Sequence, residues 1–193
     1  MTKKRYLLLV LFPLFLGCTR KDNDKTINSI IIHDGVIHHI CAQIKFSERK
    51  YVSCIYGELY NNYNEFDKLD IFRAKLGYDP SVGFSQIKIS TFYWIEDNSN
   101  NPLITKSLTK KELLSKITTD SINILYSVTY IKMINNLFVK KYSKDASVKS
   151  LGSFYSAGID YGKDDVDTNY FNIVGETAEK FYYSNMLINE YPR

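Results

Sequence analysis

Past a polar stretch from Arg20 to Asn28, apolar and polar residues along this chain repeat with a spacing close to two. From Val36 to Phe46 the residues Ile40, Ala42, Ile44 and Phe46 share one face, and Tyr51, Ser53 and Ile55 continue it after a break at Ser47-Glu48. The alternation returns in Phe72, Ala74, Leu76 and Tyr78, then in Ile87, Ile89, Thr91, Tyr93 and Ile95, then from Ile122 to Tyr130, and last from Leu151 to Tyr161. Period two puts successive side chains on opposite faces, so these segments are predicted to be half-buried antiparallel strands.

Helical signals are fewer. Thr109-Lys110-Lys111-Glu112 has capping-box spacing, with Leu113, Leu114 and Ile117 behind it, and predicts one central helix over about 109–119. Residues 121–142 admit two readings. Leu114, Ile117, Ile124, Val128, Ile131 and Phe138 would extend that helix on a heptad, whereas the β-branched residues of the segment favour a strand, with Asn135-Asn136 as its turn. The strand reading is preferred. A second helix is predicted over about 176–189 from Ala178, Phe181, Tyr182 and Ile188. The expected fold is therefore α+β, mainly an antiparallel β-sheet meander with one central helix and a C-terminal helix.

The first residues have a different organisation. Lys3, Lys4 and Arg5 precede eleven uncharged residues from Tyr6 to Leu16, followed by Gly17 and Cys18. This is a secretory signal layout. Eleven residues as a helix would cover about 16 Å, roughly half a bilayer core, and Pro13 works against a stable spanning helix. Phe15-Leu16-Gly17-Cys18 resembles the lipobox of bacterial lipoproteins. The resemblance implies cleavage before Cys18, lipidation of its thiol and anchoring in a membrane, and Thr19 behind it implies the outer membrane over the inner. On this reading residues 1–17 are signal peptide, 18–28 a lipidated Cys and flexible tether, and 29–193 a single globular domain.

Charge then excludes one class. Taking Lys3, Lys4 and Arg5 away from the 25 lysines and arginines leaves 22 against 21 carboxylates. A domain so near neutrality lacks the field of a nucleic-acid binder, and no nucleic-acid partner is expected.

An exported domain can form disulfides. In a hairpin turning at Ser47-Glu48, Cys41 stands opposite Cys54, and the two are predicted to bridge. His33, His38 and His39 lie close in sequence, but adjacent strand residues point to opposite faces, so no metal site is expected there. The acidic run Asp160, Asp164, Asp165 and Asp167 lacks the spacing of a calcium loop. Ser47 with Lys50 and Ser85 with Lys88 match Ser-x-x-Lys by letter only, and the carboxylates Glu58, Glu65 and Asp67 show no spacing that implies shared work. No cofactor and no catalytic residue is assigned.

Aromatic enrichment remains: sixteen tyrosines, eleven phenylalanines and the single Trp94. Tyr60, Tyr63, Tyr93 and Trp94 are the candidate binding aromatics, since such rings offer rigid contact area with a polar tip. The leading expectation is a non-catalytic, lipid-anchored envelope protein that binds another protein, such as an immunity lipoprotein or an accessory subunit of a surface or secretion assembly. The alternative is a periplasmic or cell-surface protein that binds or hydrolyses glycan, with Trp94, Tyr93 and Tyr60 as stacking rings.

Overall fold

The computed structural model describes residues 22–62, 67–107, 109–158 and 166–184, and among these the chain is mostly helical. In order come α1 (Asn23–Ile32), α2 (Asp34–Ile44), α3 (Glu48–Asn62), α4 (Asp67–Lys75), β1 (Ser81–Val82), β2 (Ile87–Lys88), α5 (Ile89–Asn98), α6 (Lys110–Ile117), α7 (Asp120–Tyr142), α8 (Val148–Ala157) and α9 (Ile173–Tyr183). The expected β meander is overturned: β1 and β2, two residues each, are the only strands among the described residues.

The physical reason is burial on all sides. In α3 every residue from Tyr51 to Leu59 is buried, and in α7 the buried positions include Ile124, Tyr126, Ser127, Val128, Thr129, Tyr130 and Ile131. A helix enclosed all round has no polar face to impose a 3.6-residue rhythm, so it also contains every second-residue pattern. The heptad through Ile124, Val128, Ile131 and Phe138 was the correct signal, and all four are fully buried. Packing here outweighs the β preference of the branched residues. In α2 the buried set Ile37, Ile40, Cys41 and Ile44 is a helical stripe, with Lys45 in the left-handed conformation closing the helix.

Three expectations fare differently. The central helix is present as α6, where Thr109 Oγ1 accepts from the Glu112 amide at 3.1 Å. The expected turn at Asn135-Asn136 lies inside α7, where buried Asn135 accepts from the Ala146 amide and donates to Asp145, both at 2.9 Å. The C-terminal helix begins earlier than predicted, at Ile173, and residues 185–189 of the predicted span lie outside the described residues. At the other end α1 starts at Asn23, inside the stretch read as tether, with Thr26 and Ile30 buried.

Glycines set how closely α3, α8 and α9 approach. A Cβ on Gly57 would stand 2.6 Å from the Val174 carbonyl oxygen, and one on Gly175 would fall on Ser153 Oγ and the Lys149 carbonyl oxygen. A Cβ on Gly152 would meet Ala178 Cβ at 3.0 Å. Only hydrogen fits at the first two places, so backbone packs against backbone and fixes the relative height of the three helices.

The hairpin is an internal plug. In its turn, residues 83–86, Phe84, Ser85 and Gln86 are buried among α3, α7 and α8, and half-buried Gly83 stands at φ 74° with a Cβ there excluded by Asn123. Asn123 of α7 accepts from the Ser85 amide at 2.8 Å and donates to the carbonyls of Val82 and Ile117. Ser85 Oγ donates to Ser127 Oγ at 2.9 Å, Ser127 meets the Tyr51 hydroxyl at 2.7 Å, and the Tyr155 hydroxyl donates to the Ser85 carbonyl.

Candidate active site

The register set by these glycines places one carboxyl group inside the molecule. Glu58 follows Gly57 on α3 and shares the stripe of Tyr51, Cys54 and Ile55, so its side chain turns inward; the residue is 5% exposed. One turn on, Asn62 donates to Glu58 Oε1 at 3.0 Å and also reaches Ser156 Oγ of α8 at 3.3 Å. Glu58 Oε2 has no hydrogen-bond partner among the described residues.

Burial dominates the electrostatics of this group. Loss of hydration pushes the Glu58 carboxyl from its ordinary 4.5 up to about 7, against the opposing pull of Asn62, the nearby Ser156 hydroxyl and the Lys88 ammonium. At neutral pH the group therefore exists in both its acid and its base form. Lys88 ends β2, and its Nζ lies 3.9 Å from where a Cβ on Gly158 would stand, as does Thr91 Oγ1 of α5. Gly158, at φ 78°, closes α8 and brings Ser156 and Tyr155 to the start of α5. Glu58, Asn62, Ser156, Lys88 and Thr91 thus gather where α3 and α8 end and α5 begins. Tyr155, buried beside them and tied to the hairpin, has its hydroxyl pKa raised first by burial, then by the charges of Tyr51 and Glu58.

The residues singled out from sequence are not brought together. Cys18, Tyr63, Asp160, Asp164 and Asp165 lie outside the described residues. Tyr60 is half-buried and stacks on Tyr56 within α3, their centroids 5.6 Å apart. Tyr93 and Trp94 are adjacent on α5, and Trp94 meets Tyr130 edge-on at 5.9 Å. The pairing of Cys41 with Cys54 requires correction: they sit on separate helices, α2 and α3, as buried free thiols, because the hairpin that would have joined them is a helix pair. Burial, aided by the Glu48 charge, pushes the Cys41 thiol up to about 12, and burial raises Cys54 as well, so neither supplies a thiolate nucleophile.

The histidines are also apart. His33 bonds the Ser29 carbonyl at 2.8 Å, lies 3.2 Å from Asp120 and packs on Phe84, while His38 pairs with Glu48 at 2.9 Å. Among the described residues no group of three metal-binding side chains occurs. Ser47 accepts from the Lys50 amide at the start of α3, and Ser85 is spent in the hairpin plug, so neither Ser-x-x-Lys match is a nucleophile.

Sequence reading passed over Glu58 because Tyr51 to Ile55 was assigned to a strand. Read as a helix, Tyr51, Cys54, Ile55 and Glu58 stand at i, i+3, i+4 and i+7, and a carboxylate on an apolar stripe is a signal in itself. No family model, curated protein or solved structure matches this chain.

Proposed function

We propose that this protein is a lipid-anchored enzyme of the bacterial envelope that cleaves glycosidic bonds by acid catalysis, with Glu58 as the proton donor. One observation carries the reading: a buried carboxyl group, protonated up to about pH 7, with one oxygen fixed by Asn62 and the other unpartnered among the described residues. A sugar alkoxide is a poor leaving group and departs only as its oxygen is protonated, which calls for an acid that keeps its proton near neutrality. The amide and hydroxyls of Asn62, Ser156 and Thr91 suit a polyhydroxylated substrate. Anchoring through Cys18 would place the site beside the glycan of the cell envelope.

In the step so assigned, Glu58 gives its proton to the glycosidic oxygen as the bond from that oxygen to the anomeric carbon breaks and the electron pair stays on oxygen. A hydroxyl group, from water or from the substrate, then adds to the anomeric carbon and returns a proton to Glu58. Lys88 favours the carboxylate left between the two steps. The test is release of soluble fragments from purified cell-wall glycan, scored for the wild-type protein and for Glu58→Gln. Expected are a rate that falls as pH rises through about 7 and a loss of at least 100-fold in the variant. Equal release by the two proteins, or none by the wild type, overturns the assignment.

A second reading, the non-catalytic protein binder, is favoured by α4. Leu69 and Phe72 lie on one side of it and Leu76 just past its end, 37%, 55% and 61% exposed, and Tyr78 follows at 59%. Stripes of this kind mark contact surfaces. Loss of a co-purifying envelope partner on Phe72→Ser with Leu76→Ser, while glycan release persists, would separate this role from catalysis.

A further inference from the structure

Apart from the Glu58 cluster, a groove of about 750 Å³ opens between the C-terminal ends of α2 and α5 and the C-terminal half of α7. Its charged lining has one sign: Lys45, Lys132 and Lys140 border it, and among the described residues no Asp or Glu does. Two helix C-termini, each worth about half a negative charge, offset part of this and leave a balance near two positive charges. Lys132 spends one donor on the last carbonyl of α2, Ile44, at 2.6 Å. Lys45 and Lys140 are exposed.

The groove also holds the only tryptophan of the chain. Trp94 is half-buried, and its indole is steadied edge-on by Tyr130, which is itself buried and packed on Tyr155. Asn98 donates to the Trp94 carbonyl at 2.9 Å, keeping its side-chain oxygen for another partner, and exposed Asn136 stands opposite on α7. An aromatic plate, side-chain amides and unopposed ammonium groups are the elements that hold a sugar ring carrying an acid group. Along α5, Thr91, Trp94 and Asn98 fall on one side of the helix, so a stripe about 10 Å long leads from the Glu58 cluster to this groove.

We infer that the groove between α2, α5 and α7 is a second binding site, taking a carboxylated saccharide with its ring on Trp94 and its carboxylate between Lys45 and Lys140. Choosing a sugar over other anions rests on the glycan reading of Glu58; the site's existence does not. The experiment follows Trp94 fluorescence in full-length Glu58→Gln protein, which binds without turnover, titrated with oligogalacturonate, with a neutral chitooligosaccharide of equal length and with inorganic phosphate. The carboxylated oligomer is expected to shift the emission and to bind at least tenfold more tightly than the neutral one. Lys45→Ala with Lys140→Ala should weaken it roughly tenfold, as should raising the salt to about 0.5 M. Equal binding of the two oligomers, a response to phosphate alone, or no spectral change at millimolar ligand overturns the inference. Wild-type cleavage of cell-wall glycan without any Trp94 response would reject the groove and keep the Glu58 assignment; a Trp94 response without cleavage would do the reverse.

Discussion

Two sets of polar groups lie in the same helical core, and they are treated in opposite ways. Around the hairpin tip, Tyr51, Ser85, Asn123, Ser127 and Tyr155 answer one another, donor to acceptor. Further along α3, Glu58 is equally buried but keeps one oxygen unanswered and a carboxyl that titrates near neutrality. A satisfied buried network holds a fold in one arrangement, since each group has exchanged water for a partner. An unsatisfied one is a cost that folding alone does not explain, and such costs gather where chemistry is done. The role proposed for Glu58 rests on this difference; Asp34 Oδ1 and Arg49 Nε are also buried without a partner among the described residues, but neither belongs to a carboxyl held up near neutrality.

The contrast can be broken first at its scaffold side. Asn123→Leu leaves the Ser85 amide and the Val82 and Ile117 carbonyls without their partner, and is expected to lower unfolding free energy by about 4 kcal/mol, read from urea midpoints. A loss below about 1 kcal/mol would mean the network is ornamental. The second change, Glu58→Gln, should act in the other direction. Because the folded carboxyl titrates near 7 and the unfolded one near 4.5, the fold is favoured below 4.5 and loses stability as pH climbs between the two values. The variant should match wild type at pH 4 and exceed it by roughly 3 kcal/mol at pH 8. A stability difference that does not change with pH would contradict the burial of this acid.

Smaller effects sharpen the comparison. Tyr51→Phe removes one hydroxyl from Ser127, which retains Ser85 and the Ile124 carbonyl, so about 1 kcal/mol should be lost, and equally at pH 5 and pH 8. Breaking the Lys106–Asp97 pair, two-thirds exposed on both sides, should shift the same midpoint by under about 0.5 kcal/mol and set the floor for what a polar contact outside the core contributes.

What could be read from the chain follows the same division. The α6 start was legible because Thr109 and Glu112 act locally, over one turn. α7 was not, because Ile122 to Tyr130 supports both periods and only the surrounding helices decide between them. The histidines and the two cysteines stood out by type, yet the histidines serve separate local contacts and the cysteines are buried free thiols on different helices. Glu58, unremarkable by spacing, became visible only once its neighbours were placed on a helix. The partners that define its environment, Lys88 and Ser156, lie 30 and 98 residues further along the chain, at distances no local pattern reports.

The buried turn of the hairpin also bears on the order in which the molecule assembles. The partners of Ser85 on α7 and α8 are 38, 42 and 70 residues away along the chain. Closing such loops is slow compared with forming single helices. The turn and α8 are held to each other through the Tyr155 hydroxyl and the Ser85 carbonyl. Ser156, which reaches Asn62 beside Glu58, arrives with α8, so the surroundings of this acid are complete only when segments 98 residues apart have met.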